Sequence, residues 1–199
     1  MISSTMLCEM ICNMAENEFP KRKRMRLKDY DYSQNGYYYV TVCTDKRQNL
    51  FGNIVDGKMD LNAIGNIIDY TWNDLINHND IKLHQYVIMP DHIHGIIEVC
   101  NCRERSVTVP KTSNYHYGIP EIMRQFKTFS SKRINEYLKR NGYEPFPTGK
   151  LCQKSYFEHI IRDEADYITK AQYIINNPIK RELELRDTAY IISEKKLDK

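Results

Sequence analysis

A proline set between two runs of β-forming residues constrains this chain more than any other feature. Tyr86-Val87-Ile88-Met89 leads into Pro90-Asp91, and His92-Ile93-His94-Gly95-Ile96-Ile97-Glu98-Val99 follows. Proline has a locked φ and no amide donor, so it belongs between strands rather than inside a ladder. Residues 86–99 therefore read as strand, tight turn, strand. Side chains alternate along a strand, which puts His92 and His94 on one face, about 6.6 Å apart along the axis. Ile93, Ile97 and Val99 share the other face with Gly95, and that face suits packing against helices. Two adjacent imidazoles can hold a metal ion, but a fortuitous pair of part-buried histidines has the same pattern. The rest of the chain has to decide.

At 199 residues the chain is expected to form one main domain with a single core. Hydrophobic residues are 41% and charged residues 28%, as in soluble globular proteins. No apolar run approaches the roughly 18 residues of a membrane span. The first 18 residues contain Cys8, Cys12 and several Met, but Glu9 interrupts them and no basic residue precedes them. They make a poor signal peptide and read as a loose N-terminal extension. Six irregularly spaced cysteines do not resemble a disulfide framework, so a reducing cytoplasm is the expected compartment.

The net charge of +3 is unevenly distributed. Lys21, Arg22, Lys23, Arg24, Arg26 and Lys28 fall within eight residues, and elsewhere acidic residues slightly outnumber basic ones. Such a cluster suits a phosphate backbone, or is a solvated tail with no specific partner.

Asn35-Gly36 marks a turn before the first strand, Tyr37–Cys43. Residues 45–57 read as a connection, with a short hairpin expected at Asp56-Gly57. From Leu61, the spacing of Ile64, Ile67, Ile68, Trp72, Leu75 and Ile76 predicts an amphipathic helix to about Asn77. After the histidine-bearing strand pair, residues 100–117 read as a loop. There Cys100-Asn101-Cys102 lacks the second cysteine pair that a zinc site needs. A second helix is expected over residues 120–140, with Ile122, Met123, Phe126, Phe129, Ile134 and Tyr137 inward. Arg124, Lys127 and Lys132 would project away as phosphate contacts. Asn141-Gly142 stops this helix. Residues 156–162 form a fourth strand, and Asp163 caps a final helix expected to end at Asn177 before Pro178. The order β-α-β-β-α-β plus a terminal helix is the ferredoxin-like α+β pattern: an antiparallel sheet with helices on one face.

In that last helix Tyr167, Ile168, Ala171, Ile174 and Ile175 form the apolar arc. Tyr173 and Asn177 fall one turn apart on the opposite side, with Asp166 and Lys170. One tyrosine among 15 can be an ordinary surface residue. Beside a cation held by His92, His94 and an amide oxygen, however, a phenol can act as a phosphorus nucleophile. Lys170, close to Tyr173, would lower its phenol pKa or touch phosphate.

Asp29-Tyr30-Asp31-Tyr32-Ser33, Asn35-Gly36-Tyr37-Tyr38, Val87 to Gly95, Phe126-Lys127-Thr128-Phe129, Tyr156 to Arg162 and Tyr173 to Pro178 occur in one order after a basic start. Together they resemble the HUH single-tyrosine transposases, in particular the REP-associated tyrosine transposases, over residues 21–183. The resemblance implies an HUH nuclease domain over 21–185, between an extension (1–20) and a tail (186–199). It implies Mg²⁺ or Mn²⁺ held by His92, His94 and Asn177. Tyr173 would be the nucleophile on single-stranded DNA, leaving a 5′-phosphotyrosine and a free 3′-hydroxyl. Substrates would be hairpins such as palindromic repeats, bound by a monomer or homodimer, with no membrane partner. The chain departs from this pattern at Leu151-Cys152-Gln153, where Trp-Gln is common, and at Asp91, where Asn is common.

Two other readings compete. A non-catalytic binder of hairpin or single-stranded DNA would use the basic run and the tyrosines for phosphate and stacking contacts. A metal oxygenase would need Glu98 as third ligand, but four residues from His94 is about 13 Å along a strand, too far for one ion.

Overall fold

The computed structural model describes residues 30–100, 118–147 and 150–197. The basic residues Lys21, Arg22, Lys23, Arg24 and Arg26 lie outside that range, as do residues 1–18 and most of the 100–117 loop. The elements are β1 (Gly36–Cys43), β2 (Gly52–Val55), β3 (Lys58–Leu61), α1 (Ala63–Asp74), β4 (Ile81–Met89), β5 (His92–Val99), α2 (Ile119–Arg140), β6 (Phe157–Ile161) and α3 (Glu164–Leu197). The four-stranded sheet has the order β4-β5-β1-β6, with every neighbouring pair antiparallel. The α+β class and the β-α-β-β-α-β succession are both present, with the hairpin β2–β3 as an additional two-stranded ribbon. Asp56 and Gly57 turn that hairpin at φ 50° and 70°, the left-handed pair that a tight two-residue turn requires.

Pro90 and Asp91 form the turn between β4 and β5, and Met89 pairs with His92 across it. One face of the sheet packs on α1 and α2 through Val40, Val42, Ile93, Ile97, Trp72, Ile122 and Phe126. Gly95 belongs to that face, and a Cβ there would sit 2.4 Å from Trp72, so only glycine lets the indole lie flat on the sheet. Asn62 caps α1 by accepting the Gly65 amide at 2.9 Å. The α-helix ends at Asp74, and a single 3₁₀ turn leaves Ile76 52% exposed instead of inward.

The opposite face carries α3 on Tyr39, Ile96 and Ile161. Asp163 caps it as expected, accepting the Asp166 amide at 2.8 Å. Two expectations for this helix are corrected. It does not stop at Asn177 but runs through Pro178 to Leu197, past position 185 without a break. Proline forfeits one amide donor, and just beyond it Ile179 lies beside the hairpin turn, where a Cβ on Gly57 would meet its Cγ1 at 3.0 Å. The buried arc is also rotated. Ala171 and Ile174 are inside, but Ile168 is 45% and Ile175 62% exposed, while Asn177 is buried. Lying across a sheet that bears polar side chains, α3 directs part of its polar side inward.

Candidate active site

His94 sits on the central strand β5, opposite Thr41 of β1 in the ladder. Paired residues share a face, so β1 presents Thr41 and Tyr39 alongside it. The Nδ1 atom of His94 lies 2.7 Å from the Tyr39 hydroxyl and 2.7 Å from Thr41 Oγ1. Each hydroxyl can donate or accept, so the pair can serve either tautomer of the ring. Burial, followed by the neighbouring His92 and Arg47, pushes the His94 pKa down to about 3. His94 is therefore neutral at ordinary pH, the form that binds metals.

His92 opens β5 just after the turn. Its Nδ1 is 2.5 Å from Asp91 Oδ1, so the N–H donates to a carboxylate and the Nε2 lone pair is left facing His94. Burial opposes ionisation of Asp91, but the hydrogen bond and charge of His92, together with Arg47, outweigh it and hold the carboxyl below its usual range. Arg47 Nη1 donates to the other Asp91 oxygen at 3.2 Å. Arg47 and the preceding Lys46 have φ of 57° and 53°, so this short turn is held in left-handed backbone conformations that cost energy in non-glycine residues.

The two Nε2 atoms converge at 2.9 Å. Two adjacent ligands at about 2.1 Å from one octahedral ion stand roughly 3.0 Å apart, so the spacing fits a shared cation. Among the described residues no cluster of three or more His, Cys, Asp or Glu could hold a metal ion. Asn177 is buried, 8% exposed, one helical turn beyond Tyr173. Glu98 is excluded from the role of third ligand by its own partners: Lys82 at 2.9 Å, His84 at 2.9 Å and Cys100 Sγ at 3.2 Å.

Tyr173 is 43% exposed, and its ring stands edge-on to His94 with centroids 5.3 Å apart. It also meets the Tyr39 ring at 6.4 Å. Helix α3 thus brings the tyrosine to the histidine face within a single chain. Lys170 lies one turn earlier, with its Nζ 5.6 Å from the centre of the Tyr39 ring.

The α2 cations are not part of this cluster. That helix covers the other face of the sheet; Arg124 is bound to Glu121, and Lys132 is exposed. Lys127 is also committed, donating to the carbonyls of Gln153, Lys154 and Ser155 at 2.9–3.3 Å. Its ammonium ties down the segment leading into β6. Cys152, at the point of departure from the family pattern, is buried and bridges Thr44 at the end of β1. Sequence reasoning missed Tyr39, Thr41 and Arg47. Only the β1–β5 register would have revealed the first two.

An antiparallel sheet displaying two converging imidazoles, with a tyrosine on the helix that crosses them, defines a His-His-Tyr class of site. The model of the IS200-like transposases matches residues 32–177, and the chain belongs to that family. An uncharacterised protein of Haemophilus influenzae is 34% identical over 168 residues, spanning 79% of this chain and 88% of that one. A second protein of that organism, provisionally named a REP-associated tyrosine transposase, is 22% identical across 75% of this chain and 74% of its own length. The fold is shared with a solved REP-associated tyrosine transposase bound to a REP hairpin, at TM-score 0.51 and 18% identity over 78% of this chain and 74% of that one. Among the described residues no helix is long and apolar enough to cross a membrane.

Proposed function

We propose that this transposase-family chain cleaves and rejoins single-stranded DNA at hairpin-bearing sites, with Tyr173 as nucleophile. The observation that carries the reading is the Tyr173 ring against His94, beside the two converging Nε2 atoms. The phenol oxygen attacks phosphorus, the bond to the 3′ oxygen breaks, and that oxygen takes up a proton. The products are a 5′-phosphotyrosine and a free 3′-hydroxyl. Attack by a 3′-hydroxyl reverses the step and releases the tyrosine.

Mg²⁺ or Mn²⁺, held by His92, His94 and Asn177, would supply Lewis-acid polarisation of the phosphate oxygen. The residues around it do the positioning. Asp91 orients His92, Tyr39 and Thr41 orient His94, and the sheet keeps both rings from rotating. Lys170 contributes positive charge on the same side. Hairpin DNA as substrate is favoured by family membership and by the REP hairpin bound in the similar structure. The basic run at 21–28 would add affinity for the DNA backbone.

The test is incubation with a hairpin-bearing single-stranded oligonucleotide from DNA flanking the gene, with Mn²⁺, followed by denaturing electrophoresis. A denaturation-resistant protein–DNA adduct that is absent from Tyr173→Phe supports the reading. Retarded complexes with no adduct, on several such hairpins, overturn it in favour of a non-catalytic DNA binder.

A further inference from the structure

Three rings close around one cavity at the start of α3. Tyr37 of β1, His84 of β4 and Tyr167 of α3 meet edge to face, with centroid separations of 5.3, 5.6 and 5.7 Å. The Tyr167 hydroxyl is fixed by His84 Nδ1 at 3.0 Å and by Gln85 Oε1 at 2.8 Å. His84 is held from its other nitrogen by Glu98. The rings therefore form a rigid wall. They line a cavity of about 420 Å³ whose other boundaries include Ile161 and Arg162 at the end of β6.

The position of this cavity relative to the candidate active site follows from the ladder. Tyr37, Tyr39 and Thr41 alternate onto one face of β1, and Thr41 is the residue paired with His94. Four residues of strand place Tyr37 about 13 Å from Thr41, within reach of a strand of a few nucleotides. Between them, the Lys170 ammonium lies over the Tyr39 ring. A positive charge thus stands midway between an aromatic pocket and the tyrosine.

We propose that this cavity receives one unpaired base of the DNA strand, a few nucleotides from the cleaved phosphate, and so fixes where along the strand Tyr173 attacks. The inference rests on the strand-cleavage reading above. A base fits better than a phosphate because Asp163 and Glu164 also border the cavity and repel a phosphate. A neutral base instead gains ring contacts with Tyr37 and Tyr167, and its own backbone can reach Arg162 at the rim.

Affinity measured in a Tyr173→Phe background isolates binding from cleavage. Hairpin oligonucleotides carrying a single abasic site, scanned through the positions around the cleavage point, are compared with the intact strand. The expected result is a loss of about tenfold at one position, a penalty that disappears when Tyr37→Leu is added while penalties elsewhere stay. Arg162→Gln, at an exposed rim position, serves as the second variant and should lower the salt dependence of binding by about one ion. An abasic profile unchanged by Tyr37→Leu, with an unchanged salt slope in Arg162→Gln, overturns the inference. If the native protein forms its adduct while these profiles stay fixed, the pocket assignment alone fails. If no adduct forms but the profiles move, strand cleavage fails and the base site stands.

Discussion

The ring of Tyr173 stands edge-on to His94, with centroids 5.3 Å apart, so one helix and one strand of the same chain assemble the proposed nucleophile and a proposed metal ligand. The contact joins the two halves of the sequence across more than 75 residues. Among the described residues the Tyr173 hydroxyl has no hydrogen-bond partner, which leaves it available to a substrate phosphate. Tyr173→Phe should therefore abolish the covalent adduct completely, with hairpin affinity within about twofold and folding stability within about 0.5 kcal/mol of the native chain. Gel assays for adduct and binding, with a thermal melt, check all three outcomes.

The tautomer of His92 depends on Asp91, whose carboxylate accepts its Nδ1–H at 2.5 Å. Asp91→Ala leaves the ring free to turn or to protonate at the wrong nitrogen. Mn²⁺ affinity should fall by about 10- to 100-fold, as when other carboxylates supporting a metal-bound histidine are removed. Asp91→Asn keeps an acceptor and should lose less. Manganese titration followed by electron paramagnetic resonance measures both variants, and equal losses for Ala and Asn would refute this role.

How much of this was legible in the sequence varies by element. Pro90 and the alternation around it disclosed the β4–β5 pair and the shared face of the histidines, because both signals are local. Asp163 and Asn141-Gly142 likewise marked helix ends through their own backbone chemistry. The continuation of α3 beyond Pro178 was hidden, because the proline is a local stop signal while Ile179 beyond it lies beside Gly57, 122 positions away in the chain. The inward turn of Asn177 was hidden for a related reason. An apolar arc calculated for an isolated helix cannot anticipate a sheet face bearing His94, Thr41 and Tyr39. Lys127 looked like a free cation since its acceptors are backbone carbonyls, which carry no mark in the sequence.

Tyr39 and Thr41 offer two hydroxyls to one buried nitrogen, so either can replace the other. Tyr39→Phe and Thr41→Val alone should each cost little through this contact. Together they strand His94 Nδ1, at a cost of about 1–3 kcal/mol beyond the sum of the single losses. Chemical denaturation of the four proteins of the double-mutant cycle measures that excess. Additive losses would show that only one hydroxyl bonds the ring.

Glu98 predicts the acid sensitivity of the fold. Its burial disfavours the charge, but Lys82, His84 and Cys100 overcome that and bring its pKa down to about 2. A folded-state pKa below the unfolded one contributes stability that is fully present above the ordinary carboxylate value and is lost as pH falls through the folded value. The loss therefore belongs to the window from about pH 4.5 down to about pH 2. The carboxylate ties β5 to Lys82 and His84 of β4, and His84 in turn holds Tyr167 of α3, so its protonation weakens the seat of the helix that carries Tyr173. Glu98→Gln should be less stable than the native chain at pH 7, and the gap should narrow as pH falls through that window. Urea melts at half-unit intervals between pH 2 and pH 7 give the comparison. A gap that stays constant over this range would mean that the Glu98 charge contributes nothing to holding β4, β5 and α3 together.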